Sequence, residues 1–182
     1  MASKIYTRTG DFGETALVGG TRISKASLRV DAYGAMDETN TVVGAAFARC
    51  EDMQLCRILE FVMHKLFNCS SLLAHPVAIA SKVRITSKDI EFLEDSIDSL
   101  QSATDPIRGF ALPTGCDLAA CLHMARTTCR RAERRLVTLH RKEPVDECLL
   151  RFVNRLSDLL FAAARYANHI ASQPDILWDS GR

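Results

Sequence analysis

Apolar residues recur three and four positions apart along most of the chain, in five blocks separated by short breaks, which is the spacing of one buried face on a helix. The first block runs from Leu28 to Arg49. In it Val30, Tyr33, Val42 and Ala46 are available for packing, while Asp37, Asn40, Thr41 and Gly44 line another stripe, and Gly44 would permit a close helix approach. The second runs from Asp52 to Ala74 on Leu55, Ile58, Leu59, Val62, Leu66, Leu72 and Leu73 and ends near Pro76. Thr86-Ser-Lys-Asp89 has the spacing of a capping box and opens a third helix to about Ala103, with Ile90, Leu93, Ile97 and Leu100 repeating along it. Thr114 with Asp117 resembles another cap, at the head of a long helix reaching about His140. Pro144 suits the first turn of the last helix, which runs to about Ser172. Its stripe of Val153, Leu156, Leu160, Ala163 and Ala167 is apolar. A second stripe, Asn154, Asp158, Phe161, Arg165 and Asn168, reads either as a satisfied polar seam or as a ligand or subunit contact.

Two stretches fall outside this period. Lys4 to Lys25 holds four glycines and four threonines and no helical repeat. Thr104 to Gly115 holds two prolines and two glycines and reads as a loop; Phe110 within it is either a plug that packs the loop down or an apolar wall for a large planar ligand. Beyond the first 25 residues only Lys82 to Ile85 hints at a strand. The predicted fold is all-α: one domain over 1–182, with an irregular arm at 1–25 and a five-helix bundle over 28–172.

At 182 residues and 47% hydrophobic content the chain can bury one sizeable core. Its 23 basic and 22 acidic residues leave a net charge of +1, which gives no reason to expect nucleic acid. No apolar run approaches the roughly 18 residues of a membrane span, and Met1 to Gly10 has no signal-peptide core, so a cytoplasmic protein is expected. The seven cysteines form no C-x-x-C and mostly sit in apolar helical patterns, which suits buried reduced thiols. The five histidines make no H-x-x-x-H or E-x-x-H pair, which argues against a helix-borne metal site.

The candidate chemistry lies in the arm and in the long fourth helix. Gly10, Gly13, Gly19 and Gly20 let backbone N–H groups approach an anion, Thr7, Thr9 and Thr15 offer hydroxyls, and Arg8 and Lys25 offer charge. This is a phosphate cradle in composition, without the G-x-x-x-x-G-K-[ST] of a Walker loop; an ordinary turn-rich arm is the other reading. In Ala125 to Arg135, at 100° per residue, Arg126, Arg130 and Glu133 fall within about 60° of one another, whereas Arg131 and Arg135 point roughly the other way. Two guanidiniums and a carboxylate thus share one face, which is either a solvated charged surface or part of a site.

Four ordered motifs then carry a resemblance. Tyr-Thr-Arg-Thr-Gly-Asp-Phe-Gly-Glu-Thr at 6–15, Tyr-Gly-Ala-Met-Asp-Glu-Thr-Asn at 33–40, Arg-Arg-Ala-Glu-Arg at 130–134 and Phe-Val-Asn-Arg-Leu-Ser-Asp at 152–158 look like the PduO-type ATP:cob(I)alamin adenosyltransferases. The resemblance implies a homotrimer of five-helix bundles with sites between subunits. These would move the 5′-deoxyadenosyl group of ATP, with Mg²⁺, to the cobalt of a corrinoid. It implies that Thr7, Arg8, Thr9, Gly10, Thr15, Ala16 and Lys25 wrap ATP. Arg130, Arg131, Glu133, Arg134 and Asn154 would complete the nucleotide site from the neighbouring subunit. Arg126 would pair with Asp37 across the interface, and Phe110 would lie below the corrin ring. A cob(II)alamin reductase and an adenosylcobalamin-dependent acceptor enzyme are the implied partners. Arg8 stands where many relatives have lysine, and Ala16 where others have serine or threonine. The chain stops at Arg182 soon after Trp178, which implies that a longer tail found in some relatives is short or absent. Two rivals stay open: a non-catalytic nucleotide-binding trimer, and a helical bundle using Arg126 to Lys142 as a nucleic-acid face.

Overall fold

The computed structural model describes residues 5–76 and 83–181, so Lys4 at the head of the arm and Lys82 of the suggested strand lie outside the described residues. Each of the five periodic blocks is a helix: α1 Leu28–Phe47, α2 Met53–Ala74, α3 Ser87–Ser102, α4 Asp117–His140 and α5 Glu147–Ile170. The arm contributes a hairpin of two three-residue strands, β1 Glu14–Ala16 and β2 Arg22–Ser24, paired antiparallel with Thr15 opposite Ile23. Residues 83–86 form no strand.

The helices start where side chains can accept orphan backbone donors. Ser27 caps α1, and Asp52 caps α2 by accepting from Leu55 N at 2.8 Å. At α3 the expected box is present with an added twist: Asp89 Oδ2 accepts both the Thr86 backbone N–H at 2.8 Å and its hydroxyl at 3.0 Å, and Lys65 of α2 closes on Oδ1 at 2.6 Å. Two expected starts are corrected. The cap of α4 is Cys116, whose sulfur accepts from Ala119 N, rather than Thr114; the cap of α5 is Asp146, which leaves Pro144 before the helix.

The helices form a ring. α1 packs against both α2 and α4, α4 against α5, and α5 against α3. Side chains close it between α2 and α3, where the Phe61 and Phe92 rings lie 4.0 Å apart. Inside sit Met36, Leu59, Leu66, Leu93, Leu122, Leu136 and Phe152, all fully buried. The core stripe of α1 is Ala32, Ala35, Met36, Thr39, Val43 and Ala46, with Tyr33 and Val42 at its edge and Val30 half-buried outside the core cluster. Gly44 meets Met63 at ordinary distance, the sulfur lying 3.8 Å from where a Cβ would stand, so no unusually close approach is needed there. Ion pairs from Asp31 to Arg135 and from Glu38 to Arg131 run α1 and α4 antiparallel.

One feature of each end of the bundle carries charge inward. At the end where α1 begins, Arg29 is 7% exposed; it donates to Glu143 from Nε at 3.0 Å and to the Leu73 and His75 carbonyls at 2.9 and 3.2 Å. The hairpin docks beside it through Val18 N to the Ala74 carbonyl at 2.9 Å. At the other end Arg165, 9% exposed, donates to Asp175 at 2.7 Å and to the Asp105 carbonyl at 2.6 Å. Burying a guanidinium is tolerable only when its donors are met, and both are met by a carboxylate plus backbone oxygen.

Candidate active site

The arm is folded back on itself by its own cations. Lys25 Nζ donates to the Gly10 carbonyl at 2.9 Å, Arg22 to the Thr9 carbonyl at 2.6 Å, and the Thr7 and Thr9 hydroxyls lie 2.8 Å apart. Gly10 eases this closure: a Cβ there would stand 3.1 Å from Lys25 Nζ and 3.3 Å from the Glu14 carbonyl, tight enough that either would have to give by a few tenths of an ångström. Arg8, between the two threonines, has φ of 60°, a left-handed conformation that costs a non-glycine residue about 1 kcal/mol or more. Arg22 is a cation of the arm that composition alone did not single out. Thr15 lies on β1 and Ala16 closes it, so the arm residues expected to act together do lie on one small unit.

On α4, Arg126 and Arg130 are one turn apart, and Glu133 accepts from Asn154 Nδ2 of α5 at 2.7 Å. Asn154 thereby orients the carboxylate across the α4–α5 seam. Arg130 is exposed and its side chain makes no ion pair among the described residues. Arg126 is half-buried, with Nε buried and without a hydrogen-bond partner; burial first, and then the neighbouring Arg130, holds its pKa below the ordinary guanidinium value. The same is true one turn earlier of His123: its Nδ1 is buried and unpartnered, it packs on Phe161 at 6.2 Å, and burial together with Arg126 holds its pKa down, which favours the neutral ring. Asn40 Oδ1 on α1 is likewise buried and unmatched. Buried polar atoms are ordinarily hydrogen-bonded, so these three are open to a partner from outside the described residues, water included.

Arg131 turns to Glu38 of α1, as its angle on the helix required, and Arg134, Arg131 and Arg135 line a shallow basic hollow with Asp31 and Thr138. Asp37 is exposed on α1, beside an apolar groove of Tyr33, Gly34, Phe67 and Ala74. Among the described residues no hydrogen bond or ion pair joins Asp37 to Arg126, or the Thr7 to Lys25 arm to the α4 face. Phe110 is not a plug: it is 76% exposed and meets Trp178 edge to face, ring centroids 6.3 Å apart. All seven cysteines are unpaired, and burial pushes the Cys69 and Cys129 thiols upward, so both are held as inert thiols. No helix of the described residues is long and apolar enough to cross a membrane.

Guanidiniums on one helix face, together with a glycine-rich arm bearing hydroxyls and cations, suit the binding of a polyphosphate. That is the class of nucleotide-handling helical bundles. The profile of cobalamin adenosyltransferases matches residues 5–167, and the chain belongs to that family. It is 42% identical to a corrinoid adenosyltransferase of Bacillus subtilis, over 97% of this chain and 92% of the other. It is also 42% identical to the corrinoid adenosyltransferase PduO of Citrobacter freundii, of which it spans 52%. Among solved structures it is similar to a variant PduO-type ATP:corrinoid adenosyltransferase from Lactobacillus reuteri complexed with cobalamin and ATP. That similarity has a TM-score of 0.92 and 40% identity and covers 97% of this chain and 100% of the other.

Proposed function

We propose that the chain transfers the 5′-deoxyadenosyl group of ATP to the cobalt of cob(I)alamin or a related corrinoid, releasing triphosphate. The observation that carries this reading is the α4–α5 face. There Arg126 and Arg130 share a helix face with Glu133, whose carboxylate Asn154 fixes at 2.7 Å, and buried polar atoms of Arg126 and His123 have no hydrogen-bond partner among the described residues.

In the reaction, the cobalt lone pair of the corrinoid substrate attacks C5′ of ATP. The C5′–O bond breaks with its electrons going to triphosphate, and the cobalt is formally oxidised by two electrons. Cob(I)alamin is already a strong nucleophile, so no general base is required. The protein must align cobalt with C5′ and offset the charge of the leaving group. Arg130, whose fork can hold two oxygens at once, does the second with Lys25, Arg8 and Arg134, while Thr7, Thr9, Gly10, Thr15 and Ala16 wrap the phosphates with hydroxyls and backbone. Mg²⁺ would accompany the nucleotide and supply further charge opposite the leaving triphosphate.

Because no hydrogen bond or ion pair joins the Thr7 to Lys25 arm to the α4 face among the described residues, we place the complete site between subunits of a homotrimer, with Arg126 meeting Asp37 of the neighbour. Phe110 is the lower wall of the corrin site. An apolar ring there keeps water and the dimethylbenzimidazole off cobalt, and a four-coordinate Co(II) is the easier to reduce. The setting is cytoplasmic, with a reductase supplying the electron and an adenosylcobalamin-dependent enzyme taking the product.

The deciding experiment follows the absorbance of cob(II)alamin mixed with the protein and Mg-ATP before and after a reductant is added. Bands of a four-coordinate species giving way to adenosylcobalamin are expected; a corrinoid spectrum that ignores the protein while ATP binds would leave a nucleotide-binding role instead. Phe110→Ala is expected to lose turnover with cob(II)alamin plus reductase far more than with prepared cob(I)alamin, and equal losses would remove that role from Phe110.

A further inference from the structure

Exposed aromatic rings on an irregular loop ordinarily wander between rotamers and loop conformations. The backbone under Phe110 is not free to do so. Trp178 N donates to the Phe110 carbonyl at 2.7 Å and Leu112 N to the Ile176 carbonyl at 2.8 Å, so a strap C-terminal to α5 pairs with the loop as a short antiparallel ladder around Ala111 and Leu177. The strap is in turn anchored by Asp175, whose side chain is only 17% exposed. Its Oδ2 accepts from Arg165 Nε at 2.7 Å and its Oδ1 from Asn168 Nδ2 at 3.1 Å. These same two residues of α5 also hold the loop: Arg165 donates to the Asp105 carbonyl at 2.6 Å, and Asn168 donates to the Thr114 carbonyl at 3.2 Å while accepting from Cys116 N at 3.0 Å. Both ends of the loop and the strap that crosses its middle are therefore gripped by side chains one turn apart on a single helix.

We propose that Asp175, acting with Arg165 and Asn168, is a positioning residue for the corrinoid reaction: it locks the strap to α5 and so fixes the place and tilt of Phe110. This rests on the function proposed above. Excluding an axial ligand from cobalt demands a ring already in place, because a loop ordered only on binding spends part of the interaction on its own ordering. A half-buried carboxylate with two side-chain donors suits that task. Its loss frees the strap and leaves the Arg165 guanidinium without its only carboxylate partner among the described residues.

The test uses the full chain with Asp175→Asn, which keeps the shape and removes the charge, and with Trp178→Ala, which leaves the buried clamp intact and removes the ring that the strap sets against Phe110. Adenosylcobalamin formation is measured from cob(II)alamin with a reduced-flavin donor and from prepared cob(I)alamin, together with the KM for ATP and the four-coordinate cob(II)alamin band in the presence of Mg-ATP. Asp175→Asn is expected to lose roughly tenfold or more in the cob(II)alamin assay, the scale of a misplaced group acting from outside the chemistry. It should keep the cob(I)alamin rate within about twofold and the KM for ATP unchanged, and lose the four-coordinate band. Combined with Phe110→Ala it should be no slower than Phe110→Ala alone, since both act through one ring. Equal losses in the two assays, or additive losses in the double variant, would overturn the proposal. Should Asp175→Asn fail to fold, Trp178→Ala decides: a weakened four-coordinate band supports the strap's role and an unchanged band overturns it. A wild-type chain that makes no adenosylcobalamin from cob(I)alamin would instead overturn the function beneath it, and the proposal too.

Discussion

Gly115 shows how tightly single positions are held around the loop. Its φ of 133° lies in the region that favours glycine, and a Cβ would fall 1.9 Å from Asn168 Oδ1. Gly115→Ala therefore meets strained backbone and overpacking at once, and a loss of roughly 2 to 5 kcal/mol is expected in a denaturant titration. A shift of a few tenths would mean that Asn168 swings away at little cost. The sequence marked this glycine only as part of a loop, since its partner is more than fifty residues along the chain. Arg130 stood out by its motif and Phe110 only as an undecided loop aromatic whose role the resemblance suggested, whereas Arg165 and Asn168 stood out only as part of an undecided polar stripe. Asp175 was not legible at all, because an isolated aspartate after a helix carries no periodic or spacing signal.

Helix existence was plain in the sequence because each apolar stripe repeats over about three turns or more, and the Thr86 box was plain because its two members are local. The ends of α4 and α5 were misplaced for different reasons: cysteine is not among the usual capping types, and a proline two residues before Asp146 mimics the first helical position. The strands, at three residues each, are shorter than any alternation can reveal. At α3 the cap also predicts a pH effect. Burial acts to raise the Asp89 pKa, but Lys65 and the two Thr86 donors outweigh it and hold the carboxyl below its ordinary 3.8. A folded pKa below the unfolded one means stability that is complete above that value and drains as the pH falls through the folded pKa. Asp89→Asn should thus be less stable than wild type near neutrality. The gap should close as the pH is lowered past 3.8, and a gap independent of pH would show that Asp89 acts by packing alone.

For the whole molecule the proposed division of the site between subunits of a trimer gives a mixing experiment. Subunits carrying Arg130→Ala and subunits carrying Thr9→Ala with Lys25→Ala are each expected to be inactive alone. Unfolded and reassembled together at equal amounts, they should recover about one quarter of wild-type activity, the fraction of interfaces in a random cyclic assembly that pair an intact arm with an intact α4. No recovery would place both halves of a site within one chain. The two buried guanidiniums have a consequence of another kind. Arg29 ties the start of α1 and the end of α2 to the α4–α5 connection, and Arg165 ties the α3–α4 connection to the strap after α5, so the bundle is hooped at both rims. Opening either rim exposes an unpaired buried charge, and fraying, which in most bundles begins at the helix ends, has no inexpensive place to start. Amide exchange should accordingly be slow through the first turns of α1 and the last turns of α4 and α5 and fast in Thr7 to Gly13, so that among the described residues the arm can breathe while both rims stay shut.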